Sequence, residues 1–152
     1  MSEIERIVWG AIFAVAVYVV GQLLSKFLIE PLYELRKSVG KVRFTLAFHA
    51  PTIHTPIGRT PEASTAARDA LMTSSCELIS KLHAVPVYAV TRHLAFGALP
   101  PGKLVEKAAV QLRGLSTYMF ETDRKANDSI EVVAKRVESV MQKLRLRPLE
   151  GE

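Results

Sequence analysis

The sequence lacks the residues that build a disulfide framework or a metal site. Cys76 is the single cysteine among the 152 residues, so an internal disulfide cannot form. The cysteine content therefore does not require an oxidising compartment. We predict that Cys76 is buried and packs as a small apolar residue. The four histidines, His49, His54, His83 and His93, have none of the i, i+3 or i+4 spacings that helical metal ligands favour. We therefore predict no metal site.

Catalytic and nucleotide-binding motifs are also absent. The segment GRTPEAS (58–64) has neither the second glycine nor the lysine of a phosphate-binding loop. The serines of TSSCELIS (73–80) have no flanking glycines that would form a nucleophile elbow, and the segment indicates a small-residue packing face. Asp69 and Glu77 lie eight residues apart and are predicted to be solvated. The sequence thus predicts no catalytic residue, no cofactor and no enzyme.

The net charge of +5, from 20 basic and 15 acidic residues, is small and dispersed. It does not indicate a nucleic-acid partner, which would require a concentrated basic patch.

The longest uncharged run lies near the N-terminus. Residues 7–25, IVWGAIFAVAVYVVGQLLS, carry no charge, and at 1.5 Å per residue they span about 28 Å, close to the hydrocarbon thickness of a bilayer. Ten of them are Ile, Val, Leu or Phe, which favours insertion by about 3–6 kcal/mol. We predict a short N-terminal segment, residues 1–6, and a transmembrane helix, residues 7–28.

Two alternatives compete with a transmembrane helix. A buried core helix would need a neighbour on every side, because the large apolar residues point in all directions, and a chain of this length has no core that deep. A cleaved signal peptide has a shorter apolar region and a small-x-small cleavage pattern, whereas KFLIEPLYELRK (26–37) follows here. Both alternatives fit the sequence less well than a retained span.

The flanking charges predict the orientation. Arg6 precedes the run, while Lys26, Arg36, Lys37, Lys41 and Arg43 follow it. The positive-inside rule then predicts a single-pass protein of the cell inner membrane, with its N-terminus outside and its C-terminal part in the cytoplasm.

A predicted membrane-exit helix, residues 29–48, follows the span. Pro31 either starts a new helix at its first turn or kinks a continuous one. Apolar residues then recur at steps of three and four, as in a heptad stripe. If the helix turns uniformly from the span onward, these apolar residues lie on the same side of it as the small residues of the span. We predict that this face is a helix–helix interface, and the alternative is ordinary core packing beyond the membrane. Its residues are Gly10, Ala14, Gly21, Ser25, Leu28, Leu32, Leu35, Val39, Val42 and Leu46.

The remainder predicts an all-α fold, in which the N-terminal transmembrane helix is followed by a small cytoplasmic helical bundle. We expect a Pro-rich loop over residues 49–60, a bundle over 61–146 and a tail over 147–152. Thr60 and Pro61 predict a helix start, the segments 98–102 and 121–128 predict turns, and Asp128 with Glu131 resembles a capping box. The predicted apolar faces are Leu71, Leu78, Leu82 and Val85; Val105, Ala108, Leu112, Leu115 and Met119; and Ile130, Val133, Val137, Val140 and Leu144.

Basic residues could bring this cytoplasmic part to the bilayer. Lys26 can reach the headgroups from the end of the span. Lys143, Arg145 and Arg147 either complement the negative end of the last helix or contact anionic lipid. The partners predicted are therefore membrane lipid and either another protein or further copies of this chain.

Two functional hypotheses follow from this organisation. The first is a membrane-anchored interaction or scaffold module that recruits or regulates a partner or belongs to a membrane complex. The second is a small membrane sensor whose bundle binds a ligand, for which a pocket touching His49, His83 or His93 would be required.

Overall fold

A computed structural model describes residues 2–55, 60–94, 99–119 and 126–147. Within these ranges the ordered elements are all helical and no strand occurs, which confirms the predicted all-α class. The α-helices are α1 (Glu3–Leu24), α2 (Glu30–Phe48), α3 (Ala50–His54), α4 (Pro61–Ala84), α5 (Tyr88–Leu94), α6 (Gly102–Tyr118) and α7 (Ala126–Lys143), and a π-helical turn (Ser25–Ile29) joins α1 to α2.

The helix α1 is apolar and uncovered. It begins at a capping box, in which the Ser2 hydroxyl accepts from the Glu5 backbone N–H and the Glu5 carboxylate accepts from the Ser2 N–H. None of its residues is buried against the rest of the described chain. The continuous helix Glu3–Phe48 is long and apolar enough to cross a membrane. The core-helix alternative is wrong for the part of the chain that the structure describes, because no other helix there covers α1.

The helix continues through Pro31 by way of the π turn. Proline has no N–H, and its ring would clash with the carbonyl oxygen one turn earlier in a regular α-helix. Here the residue before it, Glu30, donates its N–H to Ser25 O, five residues back, so the turn ahead of the proline is wider. Pro31 therefore neither ends the helix nor begins a separate one.

Four helices pack in antiparallel pairs beyond the π turn. The helix α4 packs against α2 and α6, and α6 packs against α7. Thr45 Oγ1 lies 3.2 Å from Ser74 Oγ between α2 and α4, and Ser75 Oγ donates to Ala109 O at 2.8 Å between α4 and α6. Lys81 Nζ also lies 3.2 Å from Glu34 Oε2, so α4 runs antiparallel to α2 and returns towards the π turn.

The core between these helices is formed mainly by the predicted apolar faces. The predicted faces of α4 and α6, including Val85 and Met119 just beyond them, are buried throughout. In α7 the face is confirmed for Val133, Val137, Val140 and for Leu144, but Ile130 is 38% exposed. The buried apolar residues are Leu35, Val39, Val42, Leu46, Ile53, Ala67, Leu71, Leu78, Leu82, Val85, Leu99, Val105, Ala108, Ala109, Leu112, Leu115, Met119, Val133, Val137, Val140, Met141 and Leu144.

The local predictions agree with the structure in part. Thr60 caps α4 as predicted, by accepting from the Ala63 N–H. The segment 49–60 contains the short helix α3, which buries Ile53 against the core. The last helix begins at Ala126, so Asp128 lies inside its first turn and is not the N-cap. Ala98 and residues 121–125, which fall in the predicted turns, lie outside the described residues.

Two side-chain predictions on α4 are also corrected. Cys76 is exposed, because it lies on the outer side of α4, away from both α2 and α6. Glu77 is not simply solvated: Lys41 Nζ lies 2.6 Å from its Oε1 and links α2 to α4.

The C-terminal end of α7 is a Schellman motif without the usual glycine. The Leu146 N–H donates to Met141 O at 2.9 Å and the Arg145 N–H donates to Gln142 O at 3.1 Å. Arg145 has φ 54°, the left-handed conformation that costs a residue with a Cβ about 1–2 kcal/mol.

We expect Arg145→Gly to stabilise the protein. Glycine adopts this backbone conformation without strain, but it also makes the unfolded chain more flexible, so the net gain is about 0.5–1 kcal/mol. Thermal unfolding of the full chain in detergent, followed by circular dichroism, measures the change. Arg147→Gly, outside the motif, should bring no gain. A lower melting temperature for Arg145→Gly would mean that contacts of the arginine side chain outweigh its backbone strain.

Candidate functional site

The small residues of the predicted interface lie open along α1. Gly10, Ala14, Gly21 and Ser25 are all exposed. A Cβ built on Gly10 or Gly21 would meet no atom of the described chain within 4 Å. Another helix could therefore approach this face closely, as small residues allow in membranes.

The apolar stripe of α2 is used differently. Leu35, Val39, Val42 and Leu46 are between 0 and 7% exposed and belong to the core with α4. Leu28 is half-buried, and Leu32 packs partly against the same core. The α2 part of the predicted interface is thus occupied within a single chain by core packing. The interface within the span stays a prediction.

The π turn changes which faces of α1 and α2 align. An α-helix turns about 100° per residue, and a π turn contains about one residue more than an α-helical turn. Residues after the π turn therefore lie about 100° behind the positions around the axis that they would have in a uniform α-helix. The predicted alignment of the small residues with the buried stripe assumed uniform spacing and does not hold across this turn. With the lag included, Ala14 and Gly21 align instead with Tyr33, Gly40 and Phe44.

This opposite side of α2 is an exposed aromatic surface, which we call the outer face: Tyr33, Gly40, Phe44 and Phe48. The three aromatic side chains are 65–68% exposed. The rings of Phe44 and Phe48 stack with centroids 5.7 Å apart, and a Cβ on Gly40 would meet nothing within 4 Å in the described chain. This surface is absent from the predictions made from the sequence, although its spacing of seven, four and four residues is a helical pattern that could have indicated it.

Basic side chains flank the outer face. Arg36, Lys37 and Arg43 are exposed beside it. The carboxylate of Glu34 is directed to the other side of the helix, where Lys81 Nζ approaches to 3.2 Å, while Lys37 Nζ is 4.0 Å away. Glu30, at the start of α2, is the other carboxylate of this helix. The outer face therefore combines aromatic surface with an excess of positive charge.

The predicted membrane-surface residues lie at different heights. Lys26 is exposed within the π turn, at the end of the span. In α7, Arg136 lies over the Tyr118 ring at 5.0 Å, and the antiparallel pairing then places the last turn of α7 level with about residues 40–46 of α2. Lys143, Arg145 and Arg147 are therefore about 16–25 Å beyond Ile29 along the helix axis. Their contact with lipid stays a prediction, but it would have to reach across more than the ~8 Å Debye length.

These C-terminal cations also have contacts within the chain. Lys143 Nζ donates to Ser139 Oγ, and Arg145 forms the Schellman motif. The helix-end role of these charges also stays a prediction, because one contact is to a serine hydroxyl and the other is made by the Arg145 backbone N–H.

The two N-terminal histidines are separated from His83. His49 lies at the end of α2 and His54 lies in α3. His83 lies in the last turn of α4, at the end away from α3. Among the described residues, no group of three or more His, Cys, Asp or Glu could hold a metal ion. The paired serines of α4 act in packing, since Ser75 also accepts from Arg113 Nε at 3.2 Å.

One tyrosine has a perturbed titration. Burial raises the pKa of Tyr88 above its usual value, and the positive charge of Arg92 opposes this change. Its hydroxyl donates to Pro100 O at 2.7 Å, so it anchors α5 against the segment before α6.

No family model, curated protein or solved structure matches this chain.

Proposed function

We propose that this protein is a single-pass, membrane-anchored interaction module without enzymatic activity. In this proposal α1 crosses the membrane with its N-terminus outside, and the packed helices form a cytoplasmic bundle that recruits or regulates a partner within a membrane complex. The observation that carries the proposal is the continuous helix Glu3–Phe48, which is uncovered along α1 and then presents the aromatic outer face on α2.

The continuity of this surface favours a helical partner. The small residues of α1 and the outer face of α2 align across the π turn, so one helix could follow both. Such a helix would itself leave the membrane and continue into the cytoplasm. The occupant we propose is the membrane-exit helix of another protein.

The charges favour a different protein over a second copy. Two copies inserted in the same orientation would meet in parallel and in register, so Arg36, Lys37 and Arg43 of both would lie at the same height. Like charges brought together destabilise such a pair, whereas acidic residues complement them. We therefore propose a partner helix with Asp and Glu residues just inside the membrane.

We expect Gly21→Leu to lower recovery of this partner at least fivefold in affinity purification of the full chain in mild detergent. A leucine prevents close approach of the helices, and overpacking of this kind costs about 1–3 kcal/mol, which corresponds to a 5- to 150-fold change in equilibrium. Gly40→Leu, in the open part of the outer face, should have a similar effect. Mass spectrometry identifies the partner and quantifies its recovery.

Matched variants distinguish this face from others. Val20→Leu, on the side of α1 that leads to the buried stripe, and Ala134→Leu, exposed on α7, should leave recovery unchanged. Arg36→Gln with Arg43→Gln removes the charges that an acidic partner would complement and should lower its recovery. Recovery insensitive to Gly21→Leu and Gly40→Leu would refute the face. Two differently tagged copies that copurify better when both carry Arg36→Gln and Arg43→Gln would assign the face to a second copy instead.

A further inference from the structure

The turn between α4 and α5 is the end of the packed helices closest to the span. Because Thr45 lies beside Ser74 and Glu34 beside Lys81, the residues after Ala84 are level with about residues 32–35 of α2. That is about 5–9 Å beyond Ile29 along the helix axis. The polar headgroup layer of one leaflet is about 5–8 Å deep. If α1 spans the membrane, this turn faces the outer edge of the headgroups.

An apolar side chain projects from this turn. Val87 is 70% exposed and has φ 46°, which is an unfavourable conformation for a β-branched residue. It is held there from both sides: Val85 is 4% exposed in the core, and Tyr88 is anchored by its hydrogen bond to Pro100 O. The fold therefore presents Val87 outward through a fixed backbone.

The sequence around the turn has no negative charge. Between Glu77 and Glu106 there is no Asp or Glu, while Lys81, Arg92 and Lys103 are present with two histidines. Lys81 is engaged by Glu34, Arg92 is half-buried in α5 and Lys103 is exposed at the start of α6. This end of the molecule is complementary to anionic headgroups.

We propose that the α4–α5 turn is a second membrane contact, in which Val87 enters the headgroup layer of an anionic bilayer and Arg92 and Lys103 interact with lipid phosphates. The proposal rests on the membrane anchoring proposed above and adds to it. Two contacts would hold the cytoplasmic helices at a fixed angle to the bilayer. The outer face of α2 would then be presented to a neighbouring helix in one orientation.

The full chain reconstituted in vesicles tests this contact. Single cysteines in a Cys76→Ser background carry a spin label, and the label's relative accessibility to oxygen and to a water-soluble relaxation agent reports its depth. In vesicles containing phosphatidylglycerol, the label on Val87→Cys should be more lipid-exposed than the label on Val110→Cys. Val110 is a matched apolar site, 61% exposed on α6 and further from the span. Arg92→Gln and Lys103→Gln should each lower the equilibrium constant for contact between the α4–α5 turn and the bilayer about fivefold.

The control positions separate the possible failures. A label on Val17→Cys, within α1, must lie in lipid if the chain is anchored; if it lies in water, the anchoring itself fails. If Val17→Cys lies in lipid while the labels on Val87→Cys and Val110→Cys are equally hydrated, only the second contact is refuted. Contact that is the same in phosphatidylcholine vesicles, or that persists at about 1 M salt, where the Debye length is ~3 Å, would refute the role of the anionic headgroups.

Discussion

Leu112→Asp is expected to unfold the packed helices while α1 remains helical in detergent. Leu112 is fully buried on α6, the helix that contacts both α4 and α7. An unpaired carboxylate there must either be desolvated or take up a proton, at a cost above about 4 kcal/mol, which is a large part of the 5–15 kcal/mol that stabilises a typical domain. Circular dichroism of the full chain in micelles should lose most of its helical signal apart from the 22 residues of α1.

Val110→Asp is the matched control on the same helix. Val110 is 61% exposed, so the same new carboxylate stays in water and should change stability by no more than about 0.5 kcal/mol. Leu112→Ala should lie between the two, with a loss of about 2–5 kcal/mol from the cavity that it leaves. If Leu112→Asp melts at the temperature of the parent chain, or if Val110→Asp is equally damaging, the assigned core face of α6 is wrong.

Helical periodicity predicted most of the core because it depends on residues that are close in sequence. The spacing of Val105, Ala108, Leu112 and Leu115 alone identifies the buried face of α6. Ile130 has the same spacing in α7, but it lies near the start of the helix, where periodicity does not reveal whether a neighbour reaches that far. Cys76 was misplaced for a similar reason: composition favours burial of cysteine, whereas the position of α2 and α6 around α4 decides it.

The candidate surface depended on a feature that local sequence did not determine. Pro31 is compatible with a helix start, a kink or a π turn, since each of them accommodates its missing N–H. The choice of a π turn rotates α2 by about one residue position relative to α1. This rotation is why the exposed aromatic residues, and not the buried stripe, continue the small-residue face of α1.

A reporter joined after Glu152 is expected to report a cytoplasmic location when the chain is produced in a bacterial host. One basic residue precedes the apolar run and five follow it within residues 26–43, and retention of the more basic flank on the cytoplasmic side is the general rule. An alkaline phosphatase fusion, which is active only after export, should therefore be inactive, while a fluorescent-protein fusion at the same position should fluoresce.

Charge variants test the physical cause of this orientation. Ser2→Lys, Glu3→Lys and Glu5→Lys together raise the N-terminal count to four basic residues, and Arg36→Gln with Arg43→Gln lowers the other flank to three. The combined variant should export a large fraction of the phosphatase. Glu3→Gln with Glu5→Gln is the control and should change little, because acidic residues contribute little to orientation. Full phosphatase activity in the unmodified chain would reverse the topology and place the outer face of α2, with Arg36 and Arg43, outside the cytoplasm. A partner for that face would then have to be sought on the opposite side of the membrane.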